Sequence, residues 1–273
     1  MNRASGIAFV LLLAVGGGLL WWRHQRSAAE VVATPAPTVA PPAPPPSAAP
    51  PAAPAIRHPL GAASAGGLPS LDSSDAYVEN ALVELLGHKK IRAFLHLDGA
   101  VRRFVATVDN LATGDAPASL WPVQTTAGRF DTEARDGGLS IGAHNAERYA
   151  PFVRFVDGID ARRAVALYLR VYPLLQQAYE DLGYPGKYFN DRVVEVIDNL
   201  LATPTPAGPI AVKRFVADGG TSGGASGGGL YVFADPALEA SPVGQKILLR
   251  MGSDNAAPLL AKLREIRALI VVR

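Results

Sequence analysis

Hydrophobic and polar positions divide this chain into three stretches of different rhythm. In the first, Ala4–Trp22 (ASGIAFVLLLAVGGGLLWW), apolar residues and glycine run without a charge. At about 1.5 Å per residue such a helix spans about 28 Å, close to the hydrocarbon core of a bilayer. Gly16, Gly17 and Gly18 would weaken a helix in water but are tolerated in lipid, where the backbone has no other partner. Trp21 and Trp22 fall where an interfacial aromatic belt belongs. The basic RHQR directly after the run argues against a cleaved leader, whose cleavage site follows with small neutral residues. An uncleaved single-pass anchor is expected over residues 4–22.

The second stretch, Ala33–Pro59, is proline and alanine with almost no periodicity. Proline fixes φ and lacks an N–H, so this run favours polyproline II and behaves as a tether. At ~3.1 Å per residue it reaches roughly 80 Å. Its Pro-x-x-Pro matches follow from composition and point to no proline-binding partner. Residues 1–32 are thus expected as anchor and flanks, 33–67 as a Pro/Ala-rich disordered tether, and 68–273 as a helix-rich globular domain.

The third stretch is periodic. Asp72 or Ser73 caps an expected helix with Ala76, Val78, Leu82, Leu85 and Leu86 on its apolar face, stopped by Gly87. A second helix over 98–113 gathers Val101, Phe104, Val105, Val108, Leu111 and Ala112. GRFDTEARDGGLSIG alternates around Asp-Gly and predicts a hairpin. Asn145 opens another helix, and Asp160 caps the longest, which contains Pro173 and ends at Gly183. Its Tyr168, Tyr172, Leu175 and Tyr179 make a stripe read as core and rim rather than as a ligand platform. YFNDRVVEVIDNLL is a further amphipathic helix, stopped by Pro204. PIAVKRFVA and LYVFA predict a second hairpin, and Asp235-Pro236 and Ser241-Pro242 restart helices as cap-plus-N1 pairs. In the last helix Leu259, Leu263, Ile266 and Ile270 form an apolar seam with Pro258 in its first turn, closing the core. The fold class is α+β, predominantly helical.

RFVATVDNLATGDAP and RVVEVIDNLLATPTP align at a constant offset, pairing Arg103 with Arg192, Asp109 with Asp198 and Asn110 with Asn199. Each opens a similar order of elements. The pattern is either an internal duplication of an α-ββ-α-α unit with two β-hairpins, or similar helix stops recurring by chance. If the two helices face each other, Arg103, Asp109, Asn110, Arg192, Asp198 and Asn199 are the ligand-binding candidates, across a groove able to hold a polar ligand. Ion pairing at helix ends is the competing explanation.

Charge removes one class of function. Four of the 26 basic and one of the 24 acidic side chains lie in residues 1–67, which leaves 22 and 23 for the folded part. Without a basic excess to neutralise phosphates, nucleic-acid binding is not expected. The chain has no cysteine, which excludes disulfides, thiolate metal sites and cysteine nucleophiles and suits an envelope protein. His24, His58, His88, His96 and His144 are scattered, with no His-x-x-x-His or His-Glu spacing for zinc; no metal and no cofactor are expected. The run Asp218–Leu230 contains Gly-x-Ser-x-Gly twice, at Ser222 and Ser226. With no helix directly following, it lacks a nucleophile elbow's strand-to-helix turn and reads as a hairpin tip.

LPSLDSSDAYV, VDNLATGDAP, LYLRVYPLLQQAYEDLGYPGKYFNDRVVEVIDNLLATP and FADPALEASPVGQKILLRMGSDNA, in that order, resemble the bacterial domain-of-unknown-function family numbered 3014. The resemblance covers nearly all of residues 68–270. It implies a membrane-anchored protein with a proline-rich spacer and no assigned activity, so no residue inherits a role. The glycine run departs from the family pattern. The expected function is an inner-membrane protein, single pass, with its globular domain in the periplasm binding a protein partner or envelope component without catalysis. An enzyme acting on an envelope substrate and a cytoplasm-facing scaffold are the alternatives.

Overall fold

The computed structural model describes residues 55–60, 66–114, 117–215 and 231–271. The expected anchor, most of the tether and the glycine run lie outside the described residues. Among those described, no helix is long and apolar enough to cross a membrane.

A short 3-10 turn, Leu71–Ser73, leads into helix α1, Asp75–Leu86. The expected caps Asp72 and Ser73 therefore sit two and one residues before the N-cap position, Ser74. Asp75 instead reaches across to the next long helix, where its carboxylate accepts the Gly99 N–H (2.9 Å) and the Ala100 N–H (3.3 Å). That places a negative group against a helix start where no local side chain supplies one. Val78, Ala81, Leu82 and Leu86 are buried, and Gly87 ends the helix at φ +78°. Helix α2, His88–Phe94, follows at once and was not expected.

Helix α3, Ala100–Leu111, buries Val101, Phe104, Val105, Val108 and Leu111 as the periodicity requires, and Ala106, Thr107 and Asp109 as well. A helix buried nearly all round is a central one. Its neighbours are α5, Ala161–Asp181, and α6, Phe189–Leu201. Asp160 caps α5, its carboxylate accepting the Arg163 N–H at 2.8 Å, and Pro173 lies inside the helix. Tyr168, Leu175 and Tyr179 are buried, Tyr172 partly so, and the stripe is core.

Asn145 does not start a helix. It lies within a 3-10 turn, Ala143–Arg148, ahead of α4, Ala150–Asp157. Fully buried, it works as a bracket: Oδ1 accepts the Asp131 N–H and Arg148 Nη1, and Nδ2 donates to the Arg250 carbonyl at 2.8 Å. Asp235 caps α7, Pro236–Glu239, as its sequence predicts. Ser241 caps nothing; its hydroxyl donates to the Ala237 carbonyl, and Pro242 precedes α8, Val243–Met251. Gly252, at φ +82°, turns the chain into α9, Ser253–Ile270. This helix starts earlier than expected, so Pro258 lies inside it. Leu259, Leu263, Ile266 and Ile270 are all buried against the core.

The first hairpin pairs β1, Thr132–Arg135, with β2, Gly138–Ile141, through Asp136 (φ +49°) and Gly137 (φ +77°). Two consecutive positive φ values make the turn whose twist matches the strands. β3, Ala211–Arg214, pairs with β4, Tyr231–Phe233. The two pairs form one antiparallel sheet in the order β1-β2-β3-β4, with Leu139 opposite Val212. Val212 and Phe233 bury one face on Leu249 of α8. The architecture is α+β and predominantly helical.

The order α3, β1-β2, α4, α5 recurs as α6, β3-β4, α8, α9 only when the short α7 between β4 and α8 is set aside. Packing repeats in part, since α3 lies along α5 and α6 along α9. Both α4 and α8, however, pack mainly on α9, where a two-fold relation would place one of them on α5. Packing does not show the duplication.

Candidate functional site

The connection from α5 to α6 is short and rich in tyrosine, and one side chain of α5 fixes its course. Gln176 Oε1 accepts the Phe189 N–H (2.9 Å) and the Tyr172 hydroxyl (3.0 Å), while Nε2 donates to Glu180 and to the Lys187 carbonyl. Oxygen and nitrogen each make two bonds, which satisfies the amide. Gly183 and Gly186, at φ +114° and +73°, supply the turns. Held this way, Tyr184 stacks on Tyr179 of α5 with ring centroids 4.6 Å apart, and Lys187 Nζ stands 5.1 Å over the Tyr184 ring.

Beside this loop, Arg192 of α6 crosses to the C-terminal end of α3. Its Nε donates to Asp109 Oδ1 at 2.8 Å, its Nη2 to the Asp109 carbonyl at 2.6 Å, and its Nη1 to Glu195 at 2.6 Å. A guanidinium at a helix C-terminus meets an unpaired carbonyl and complements the dipole. The Tyr184 hydroxyl donates to the other Asp109 oxygen at 3.0 Å. That bond to a carboxylate holds the Tyr184 phenol above its usual pKa, and burial, then the Asp109 charge, pushes Tyr179 up to about 12.

These groups line an open cleft of about 440 Å³, with Tyr188 and Asp191 completing the helical side and Ala55 and Arg57 the other. Three cations, Arg57, Lys187 and Arg192, face three carboxylates, Asp109, Asp191 and Glu195. A balanced set with phenol hydroxyls and ring faces suits a polar, amide-bearing or zwitterionic ligand better than a polyanion.

Of the six sequence candidates, the structure brings Asp109 and Arg192 together here. Arg103 lies elsewhere, donating to the carbonyls of Asp98 and Ser119. Asp198 is held by Arg267 of α9, whose Nη2 lies 2.9 Å from Oδ2. Asn110 accepts the Thr113 N–H and hydroxyl at its carbonyl, and the Asn199 carbonyl accepts Gln245 Nε2 at 2.7 Å. The groove expected between the two Asp-Asn-Leu ends is filled by α8. The Val243 N–H donates to the Thr113 carbonyl at 2.8 Å, and a Cβ on Gly244 would lie 2.5 Å from Leu200 Cδ2 and 2.9 Å from the Leu111 carbonyl oxygen. The matched leucines converge on a glycine because nothing larger fits between them.

Sequence reasoning missed Tyr184, Lys187, Tyr188, Asp191, Glu195 and Arg57. The signal was present in GYPGKYFND, where aromatic, basic and turn-forming residues crowd between two strong helices. In this loop the rings of Tyr184 and Tyr188 are left partly buried. Among the described residues, no group of three or more His, Cys, Asp or Glu could hold a metal ion. His144 pairs with Glu147 at 3.0 Å, and this contact raises its pKa. Lys262 of the last helix donates to the Ile159 carbonyl at 2.7 Å, so it ties that helix to the core.

A family model described as protein of unknown function, DUF3014, matches residues 100–267. No curated protein and no solved structure matches the chain. The matched span runs from the first residue of α3 into α9 and includes the Asp109–Arg192 pair and the tyrosine loop.

Proposed function

The chain belongs to the DUF3014 family of proteins of unknown function, and from that premise we propose that its folded part is a binding module without catalysis. Its ligand is a protein partner or a component of the bacterial cell envelope. The module is held to the inner membrane by the single-pass anchor of residues 4–22, stands off on the proline-rich tether and faces the periplasm.

The state of Asp109 is the observation that carries this reading. Each of its carboxylate oxygens already has a donor, Arg192 on one and Tyr184 on the other. A general base must be free to take a proton from a bound substrate, and this group is committed to holding α3, α6 and the loop together. What the cleft offers a visitor is recognition chemistry: Lys187, Tyr188 and the exposed Glu195. The tether supports the same reading, since a long proline-rich spacer extends the reach of a binding module from its anchor.

A photo-crosslinking residue at Lys187 in living cells tests the proposal. It is expected to trap one consistent partner or envelope component, and the same residue at Asp136, on the tip of the first hairpin, is expected to trap none. Equal or absent adducts at both positions would remove the cleft from consideration. A reporter fused after Arg273 that is active only outside the cytoplasm checks the orientation, and activity inside would favour the scaffold alternative.

A further inference from the structure

Two neighbouring residues at the start of α6 hold a piece of the chain's own backbone. Asp191 Oδ2 accepts the Arg57 N–H at 3.0 Å and Oδ1 accepts the His58 N–H at 2.7 Å. Asn190 Nδ2 donates to the His58 carbonyl at 2.8 Å. Two successive N–H donors, turned to the same side by a bend at Arg57 and His58, and one acceptor are thus met by a carboxylate and a carboxamide, with no demand on the peptide's side chains. This is recognition of the main chain itself, supplied by side chains.

The receiving groups are held by the core as well as by the peptide. Asn190 is buried, and its amide nitrogen must face the carbonyls of His58 and Ile270, which can only accept. Its oxygen takes the hydroxyl of buried Tyr168 at 3.0 Å, and its own N–H goes to Tyr172. Asp191 is likewise buried within the first turn. The peptide itself is held lightly. Ile56 is 44% exposed, the Arg57 side chain is 64% exposed, and its contacts to Asp191 and Glu195 are long, at 4.0 and 3.9 Å.

We propose that Asn190 and Asp191 form a clasp for the backbone of a bent peptide, that residues 55–60 of this chain occupy it in cis as a strap, and that the strap is the displaceable wall of the cleft. The other walls are helices rooted in the core and the loop that Gln176 holds, whereas Ala55 and Arg57 belong to the strap. Leu60 packs against the core at its far end and gives it direction. The tether therefore leaves the domain at the cleft itself, and a partner seated there touches the base of the tether as well as the helices. Only this last consequence rests on the cleft being a binding site; the clasp is tested without any partner.

Hydrogen–deuterium exchange on the full chain in detergent, read on peptides covering residues 55–60, decides it. The Arg57 and His58 amides are expected to exchange at least ten-fold slower than in a free peptide. Asp191→Ala should abolish that protection while α5 stays protected. Should Asp191→Ala also loosen α5, His58→Pro serves instead: it removes one strap donor, leaves the domain untouched and should free the Arg57 amide at least ten-fold. Exchange at the free-peptide rate in the unaltered chain, or protection unchanged in His58→Pro, overturns the clasp. Protection that fades on dilution overturns the cis assignment in favour of a second copy.

Discussion

Asp109 and Asp198 stand at the same place in two similar helices, each followed by Asn-Leu and each bound by an arginine, yet their surroundings differ. The Asp109 and Arg192 side chains are only 10% and 16% exposed, and the pair carries a tyrosine hydroxyl and a helix-end carbonyl with it. Asp198 and Arg267 are 48% and 36% exposed and bind little else. The reciprocal pair that a two-fold axis would demand, Arg103 with Asp198, does not form. Local sequence sets which residue stands at a helix end. The element packed beside that end sets whether the residue becomes a buried strut or a surface contact.

The largest expected effect that would break this contrast is at the buried pair. Removing one partner leaves the other charge desolvated, so Asp109→Ala should destabilise the fold by about 3 kcal/mol in chemical denaturation. The Asp109→Ala/Arg192→Ala double variant should lose clearly less than the sum of the two singles. Next comes the glycine on which both helix ends close. Gly244→Ala would drive a Cβ against Leu200 and the Leu111 carbonyl, at a cost of about 2 kcal/mol by the same measurement. Because the Leu111 contact is backbone, rotamer changes cannot relieve it all.

Asp198→Ala should cost only ~0.5 kcal/mol, and that small effect should fade in high salt. A loss as large as that for Asp109 would show that exposure is not what separates the two sites. The smallest effect is spectroscopic. A phenol is neutral when protonated, so the raised Tyr179 pKa means that the fold favours the neutral form. Its contribution to stability is whole below pH ~10 and is lost as the pH climbs through about 12. Alkaline difference spectra should show a late tyrosine component that is smaller, though not absent, in Tyr179→Phe, since burial raises Tyr168 as well.

The helices were legible because their apolar residues recur at helical spacing, and the first hairpin because Asp136-Gly137 can take two positive φ values. Caps were legible where the partner was local, as at Asp160 and Asp235. Asp75 escaped notice because the N–H groups it serves begin 24 residues on, at Gly99. Asn145 resembled a helix start because asparagine favours one, yet the distant Asp131 N–H and Arg250 carbonyl, with nearby Arg148, recruited it instead. The union of two hairpins into one sheet depends on Leu139 meeting Val212, a pairing that no short-range pattern records. Of the candidate site, only Asp109 and Arg192 could be read in advance, from a repeat whose implied symmetry the packing does not repeat.

By itself the sequence determined the long helices and the strand pairs of the folded part, its apolar faces and its lack of basic excess, because these follow from side-chain spacing and composition along one strand of chain. Tertiary structure alone decided that the tyrosine loop and the Asp109–Arg192 strut share a cleft and that α8 fills the space between the Asp-Asn-Leu ends. It decided as well that the end of the tether is gripped beside that cleft. Those outcomes depend on which surfaces remain unsatisfied once helices have packed, and only the assembled core specifies them.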